Sequence, residues 1–175
     1  FVNMFGLFMF GGVLERVWGP QRFLFYYLVT GLGAASVHIL VQGLQYHNAM
    51  AVLSPEQIQQ VYDLGSEALS EHKNFIDPAM ARLNSILNIP TVGASGAIFG
   101  VLLAFGMLFP NTQLFIMFVP IPVKAKYVVV GYAAIELYSA ITSPGSNIAH
   151  AAHLGGMLFG YFLIRYWRKT TKTLY

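Results

Sequence analysis

Five apolar runs, at 1–15, 23–43, 92–109, 126–142 and 149–166, constrain this chain more than any motif does. A helix needs about 20 mostly apolar residues to cross a bilayer, and these runs approach that length. Only 10% of the 175 residues are charged, whereas a soluble domain carries about 25%. The pattern predicts an all-α, polytopic helical bundle in a membrane, with the lipid bilayer as its surroundings. The first run is short, there is no initiating Met, and no signal-peptide n-region precedes it; the expectation is a fragment that opens inside a helix. No cysteine is present, which excludes a disulfide framework and a thiolate zinc site. No basic and aromatic stripe points to nucleic acid.

The segment 44–90 is polar and unlike the rest. Within it, Ser54-Pro55-Glu56-Gln57 reads as a capping box with Pro at the first helical position. Ile58, Val61 and Tyr62 follow at helical spacing. Asp77-Pro78 opens a second helix with Met80, Leu83 and Leu87 on one face. Two short amphipathic helices on the membrane surface are expected. The stretch LFIMFVPIPV, 114–123, is too short to span and holds two prolines, so it reads as an interfacial or re-entrant loop. The expected organisation is two spans in 1–43, the insert 44–90, and three spans with a basic tail in 91–175.

Lys and Arg concentrate in cytoplasmic loops of membrane proteins. With the spans alternating from an outer start, Arg16, Arg22, Lys124, Lys126, Arg165, Arg168, Lys169 and Lys172 fall inside, and only Lys73 and Arg82 fall outside. The insert holds five of the seven acids. This orientation makes the insert extracytoplasmic and the C-terminus cytoplasmic. Small size suggests a bacterial cytoplasmic membrane.

Orientation gives three polar residues a common depth. Asn3, Ser95 and His153 each lie one or two turns below the outer end of a span. Polar groups at that depth are costly unless they pair or meet water. Gly96 and Gly100 form one small-residue face, and Gly156 and Gly160 another; such faces let helices approach closely. Packed together, they bring Ser95 and His153 within reach, with Phe99 one turn deeper against the imidazole. A neutral His can take the Ser proton as the hydroxyl attacks a carbonyl. Backbone N–H groups at the helix start, with an Asn amide, can hold the oxyanion. No acid lies near His153 in the sequence, so the reading is a Ser-His dyad, not a triad.

GASGAIFG at 93–100, followed by AHLGGMLFG at 152–160, resembles the rhomboid family of intramembrane serine proteases. Gly93, Ser95 and Gly96 match its Gly-x-Ser-Gly motif. Ala152, His153, Gly156 and Gly160 match its Ala-His-x-x-Gly-x-x-x-Gly motif. The opening FVN, continuing through GLFMFGGVLERVWG, is similar to the family's second helix, which makes Asn3 its oxyanion Asn and Glu15 the acid near the inner end. The resemblance implies five of the usual six transmembrane helices; the first helix and the His of the His-x-x-x-Asn motif would precede Phe1. The family often has Tyr where this chain has Phe99. The implied activity is hydrolysis of a peptide bond near the outer end of a substrate's transmembrane helix, with transmembrane proteins as substrates and no metal or cofactor.

Other residues are read more plainly. His150, one turn before His153, reads as a wet residue near the loop. The two histidines suggest zinc, but no acid stands between them as HExxH requires. Glu136 is the oddest acid, in the fourth run, 126–142, and is expected to face the bundle interior and pair with a hydroxyl or water. The alternative function is an inactive rhomboid-like protein that binds membrane helices without cutting them. A transporter is disfavoured because no internal repeat is visible.

Overall fold

The computed structural model describes residues 1–89, 93–115, 121–142 and 147–170. They form two compact units, residues 1–38 with 92–175 and residues 39–91. All the main elements are helices. α1 is α-helical over Val2–Gly6, π-helical over Leu7–Gly11 and α-helical again over Gly12–Trp18. The π-turn carries an extra residue and so re-aims the residues before it, Asn3 among them. Gly19 ends α1 at φ 80°, a conformation glycine adopts without a Cβ penalty. Pro20 then opens α2, Pro20–Val52, where its missing N–H costs nothing.

In the first unit, α2 turns Tyr26, Thr30 and Ala34 inward; their four-residue spacing keeps them on one face. Leu24, Leu28 and Leu32 are exposed. Thr30 satisfies its hydroxyl on the carbonyls of Tyr26 and Tyr27, and the Tyr26 hydroxyl donates to the Gly100 carbonyl at 2.8 Å. The centre of this unit is α5, Ala94–Leu108, most of whose residues are buried. α6, Ala125–Thr142, and α7, Asn147–Thr170, pack against it, as does α1. Towards the basic end, Leu14, Trp18, Tyr26, Val101, Ala104, Leu108 and Ile164 form one apolar cluster. The Arg22 guanidinium lies over the Trp167 ring at 4.2 Å, a cation–π contact.

Glycine sets how close these helices come. A Cβ on Gly156 would run into the backbone carbonyl of Gly96, so α5 and α7 touch main chain to main chain. The two glycine faces do not match along their whole length, however. Gly100 and Gly160 lie against Thr30 and Tyr26 instead. A third helix, α2, fills the space that the sequence assigned to the α5–α7 pair.

Strands β1, Gln113–Phe115, and β2, Pro122–Lys124, pair antiparallel with Leu114 opposite Val123. They take up both ends of the stretch 114–123, expected as an interfacial or re-entrant loop, of which residues 116–120 lie outside the described residues.

In the second unit, α2 continues to Val52 rather than ending near 43. Gln45, His47 and Asn48 are polar but do not break a helix, and the first strong stop is Ser54-Pro55. Ser54 caps α3, Pro55–Ser70, in a full capping box with Gln57. The Ser54 hydroxyl also donates to Glu56 at 2.7 Å, which holds that carboxyl below its usual range. Asp77 caps α4, Pro78–Asn88, by accepting from the amides of Ala79 and Met80. Ala49, Leu53, Val61, Met80 and Leu83 make the core. Burying Val61 or Leu83 contributes about 1.5–3 kcal/mol each.

Among the described residues, one helix, Pro20–Val52, is long and apolar enough to cross a membrane by length and composition alone. Ala94–Leu108 is a shorter apolar helix.

Two glycine substitutions test the helix contact. Gly156→Ala sets a methyl against a carbonyl that cannot move aside, and a destabilisation of about 1–3 kcal/mol is expected. Gly131→Ala meets open space in α6 and is expected to be neutral or stabilising by about 0.5–1 kcal/mol. Thermal unfolding in detergent measures both.

Candidate active site

Ser95 lies in the first turn of α5, directly after Gly93 and Ala94. Gly93 is the N-cap residue and is exposed; among the described residues, no side chain caps this helix end. The first backbone N–H groups of α5 therefore have no acceptor within the helix. His153 projects from α7 at the level where Gly156 meets Gly96. Its Nε2 lies 2.8 Å from Ser95 Oγ. Phe99, one turn after Ser95, stacks on the imidazole with centroids 4.2 Å apart and planes 12° from parallel. Tyr132 of α6 closes on the far edge of Phe99 in a T-shaped contact.

The other ring nitrogen of His153 meets an acid. Glu136 Oε2 lies 3.0 Å from His153 Nδ1 and 2.6 Å from His150 Nδ1. Glu136 is 7% exposed, and the two imidazoles are partly buried. This corrects two expectations. An acid does stand beside His153, so the arrangement is a chain of three groups rather than a pair. His150 is not simply wet: it shares the same carboxylate oxygen. Sequence reasoning missed the link because Glu136 comes from α6, whereas the histidines lie three residues apart on α7. The signal was an acid inside an apolar run, which must find a partner; the expected hydroxyl or water gives way to two imidazoles.

An ionised carboxylate only accepts hydrogen bonds, so with Glu136 ionised these contacts require hydrogen on both Nδ1 atoms. His153 then turns a lone pair at Nε2 towards Ser95, whose hydroxyl donates to it. This tautomer is the one a general base needs.

Asn3 is half-buried. One turn below it, Gly6 lies against Ile98 of α5, so the start of α1 runs beside the helix that carries Ser95. Among the described residues, no hydrogen bond joins Asn3 to Ser95 or His153. Glu15 lies near the other end of α1, where its carbonyl accepts from Gly19.

Comparison with known proteins settles the family. The Rhomboid domain profile matches residues 1–170. The chain belongs to the rhomboid family. It is 32% identical over 154 residues to RHOMBOID-like protein 12, mitochondrial, of Arabidopsis thaliana, covering 88% of this chain and 38% of that protein. It is 39% identical over 83 residues to Rhomboid protein 1, mitochondrial, of Saccharomyces cerevisiae, covering 47% of this chain and 23% of that protein. This rhomboid chain thus spans well under half the length of these curated relatives. No solved structure matches it. The expectation of a bacterial cytoplasmic membrane is overturned, since both relatives are mitochondrial proteins. Small size and missing cysteines carry no information about the compartment, and the Lys and Arg bias distinguishes two sides of a membrane without naming it.

The shared carboxylate makes a stability prediction. Glu136→Ala leaves two partly buried imidazoles without their shared partner and is expected to cost about 1–3 kcal/mol. Glu136→Gln retains one acceptor oxygen and is expected to cost less. Thermal unfolding in detergent at neutral pH separates the two.

Proposed function

We propose that this chain is the catalytic core of an intramembrane serine endopeptidase, a hydrolase that cuts a peptide bond in or near the end of a substrate's transmembrane helix. The observation that carries the reading is the continuous path Ser95 Oγ, His153 Nε2, His153 Nδ1, Glu136 Oε2, with contacts of 2.8 and 3.0 Å. Rhomboid membership supports the same chemistry.

In this reading Ser95 is the nucleophile. As its oxygen bonds to the scissile carbonyl carbon, its proton passes to His153 Nε2. Glu136 steadies the resulting imidazolium by accepting at Nδ1, and Phe99 keeps the ring in plane. Backbone N–H groups at the start of α5 and the Asn3 amide hold the oxyanion. The imidazolium then gives its proton to the leaving amine, which departs. Water attacks the acyl-enzyme with the same base and frees Ser95. Glu136 acts through His153 and is a positioning residue.

Substrates are transmembrane proteins whose helix unwinds locally, because a helical carbonyl is hydrogen-bonded and shielded from attack. The five-span topology belongs to this proposal. Support for it comes from the apolar side chains left exposed along the helices, such as Phe8, Leu28, Val130, Ile141 and Phe162. With the relatives named mitochondrial, a mitochondrial membrane is the inferred location.

Fluorophosphonate labelling in detergent, with the modified peptide mapped by mass spectrometry, tests the reading. Labelling at Ser95 is expected, with complete loss in Ser95→Ala and His153→Ala. Glu136→Gln is expected to slow it on the order of 100-fold through misplacement of the base. A folded chain that never labels, alone or extended upstream, would favour a helix-binding protein that does not cut.

A further inference from the structure

Three donor atoms converge between α6 and α7. Glu136 offers a carboxylate oxygen, and His150 and His153 each offer Nδ1; all lie within 4.8 Å of one another. Two imidazoles and one carboxylate are a ligand set that suits zinc and its divalent transition-metal neighbours, leaving a fourth position for water. Calcium and magnesium prefer oxygen alone. The absence of HExxH does not exclude such a site, because the acid arrives from a second helix rather than from between the histidines.

The distances suit entry of an ion. In a tetrahedral site with bonds of about 2.0–2.1 Å, donor atoms sit roughly 3.3 Å apart. The two carboxylate contacts, now 2.6 and 3.0 Å, need to open by under an ångström. The remaining donor pair, no more than 4.8 Å apart, needs to close by at most about 1.5 Å for that geometry. Part of each imidazole remains exposed, at 23% for His150 and 18% for His153, so an approach exists.

We propose that Glu136, His150 and His153 form an inhibitory site for a divalent transition-metal ion of the zinc class. The inhibition rests on the reading of His153 as the base for Ser95. A metal ion needs the Nδ1 lone pair. A neutral imidazole that surrenders Nδ1 to a metal holds its single hydrogen at Nε2. That N–H faces Ser95, 2.8 Å away, and now donates instead of accepting. Ser95 loses its base without any displacement of the serine. No bond to substrate is made or broken, and the net proton count on His153 is unchanged. The resting hydrogen bonds and the metal-bound state exclude each other, because both use the same three atoms.

Two measurements on the whole chain in detergent test this. The first is a cobalt(II) titration of Ser95→Ala, read by visible absorption, with zinc as competitor. Ser95 is not a ligand, so this arm is independent of catalysis. A one-to-one tetrahedral cobalt spectrum, bleached by zinc and lost in both His150→Asn and Glu136→Gln on that background, is expected. The second is the fluorophosphonate labelling rate of the unaltered chain with zinc and then with excess chelator. A fall of about 100-fold, the scale of a lost general base, is expected, with full recovery on chelation.

Absence of cobalt binding, or binding unchanged in His150→Asn, overturns the site. Binding at the site without any change in labelling overturns the inhibition. A chelated chain that does not label defeats the protease reading by itself, and the cobalt arm still decides the site.

Discussion

The main-chain contact between Gly96 and Gly156 is the constraint on which the remaining geometry depends. Because neither position carries a Cβ, α5 and α7 approach until backbone meets backbone. Ser95 precedes one of these glycines by one residue and His153 precedes the other by three, so the contact fixes the hydroxyl and imidazole opposite each other. In lipid there is no hydrophobic drive between helices; close packing and interhelical hydrogen bonds hold them instead. Thr30 and Tyr26 of α2 use the next glycines, Gly100 and Gly160, in the same way. The Tyr26 hydroxyl adds a bond to the Gly100 carbonyl. Three helices are therefore clamped by small residues at the level of the site and just below it.

Into that clamp the chain inserts a carboxylate with two imidazoles around it. A buried, unpaired carboxylate is far costlier than a satisfied one, so Glu136 ties α6 to α7 whatever else it does. With the carboxylate ionised, the tie also selects the tautomer of His153 that carries hydrogen at Nδ1. Stability and reactivity are thus linked through one atom, Glu136 Oε2. The proposed inhibitory site follows from the same economy: any ion that competes for these donors must also disturb the base.

The second unit follows different rules. Its α3 and α4 carry side-chain caps at Ser54 and Asp77 and bury one face around Val61 and Leu83. These are the signals of a helix folding against water, and each depends on residues within three or four positions. That is why the starts of both helices can be read directly from Ser54-Pro55-Glu56-Gln57 and Asp77-Pro78. The end of the preceding helix could not be placed so well. Polarity at Gln45 and His47 suggested a boundary, but polarity marks exposure rather than a break in helical hydrogen bonding.

The sequence by itself determined the helical character, the capped starts of α3 and α4, the family motifs around Ser95 and His153, and the closeness of Phe99 to the imidazole. Apart from the Phe99 contact, which joins two helices and was expected from the paired glycine faces, these rest on spacing within one helix or on side-chain chemistry that needs no distant partner. Only the tertiary structure decided that Glu136 serves both His150 and His153, that Gly100 and Gly160 receive α2, and that a π-turn at Leu7–Gly11 re-aims the start of α1. Each of those depends on how far one helix is rotated and shifted against another. A rotation of one residue, about 100°, turns a side chain from a neighbour to lipid, and the spacing of residues along one helix does not record the rotation of the next.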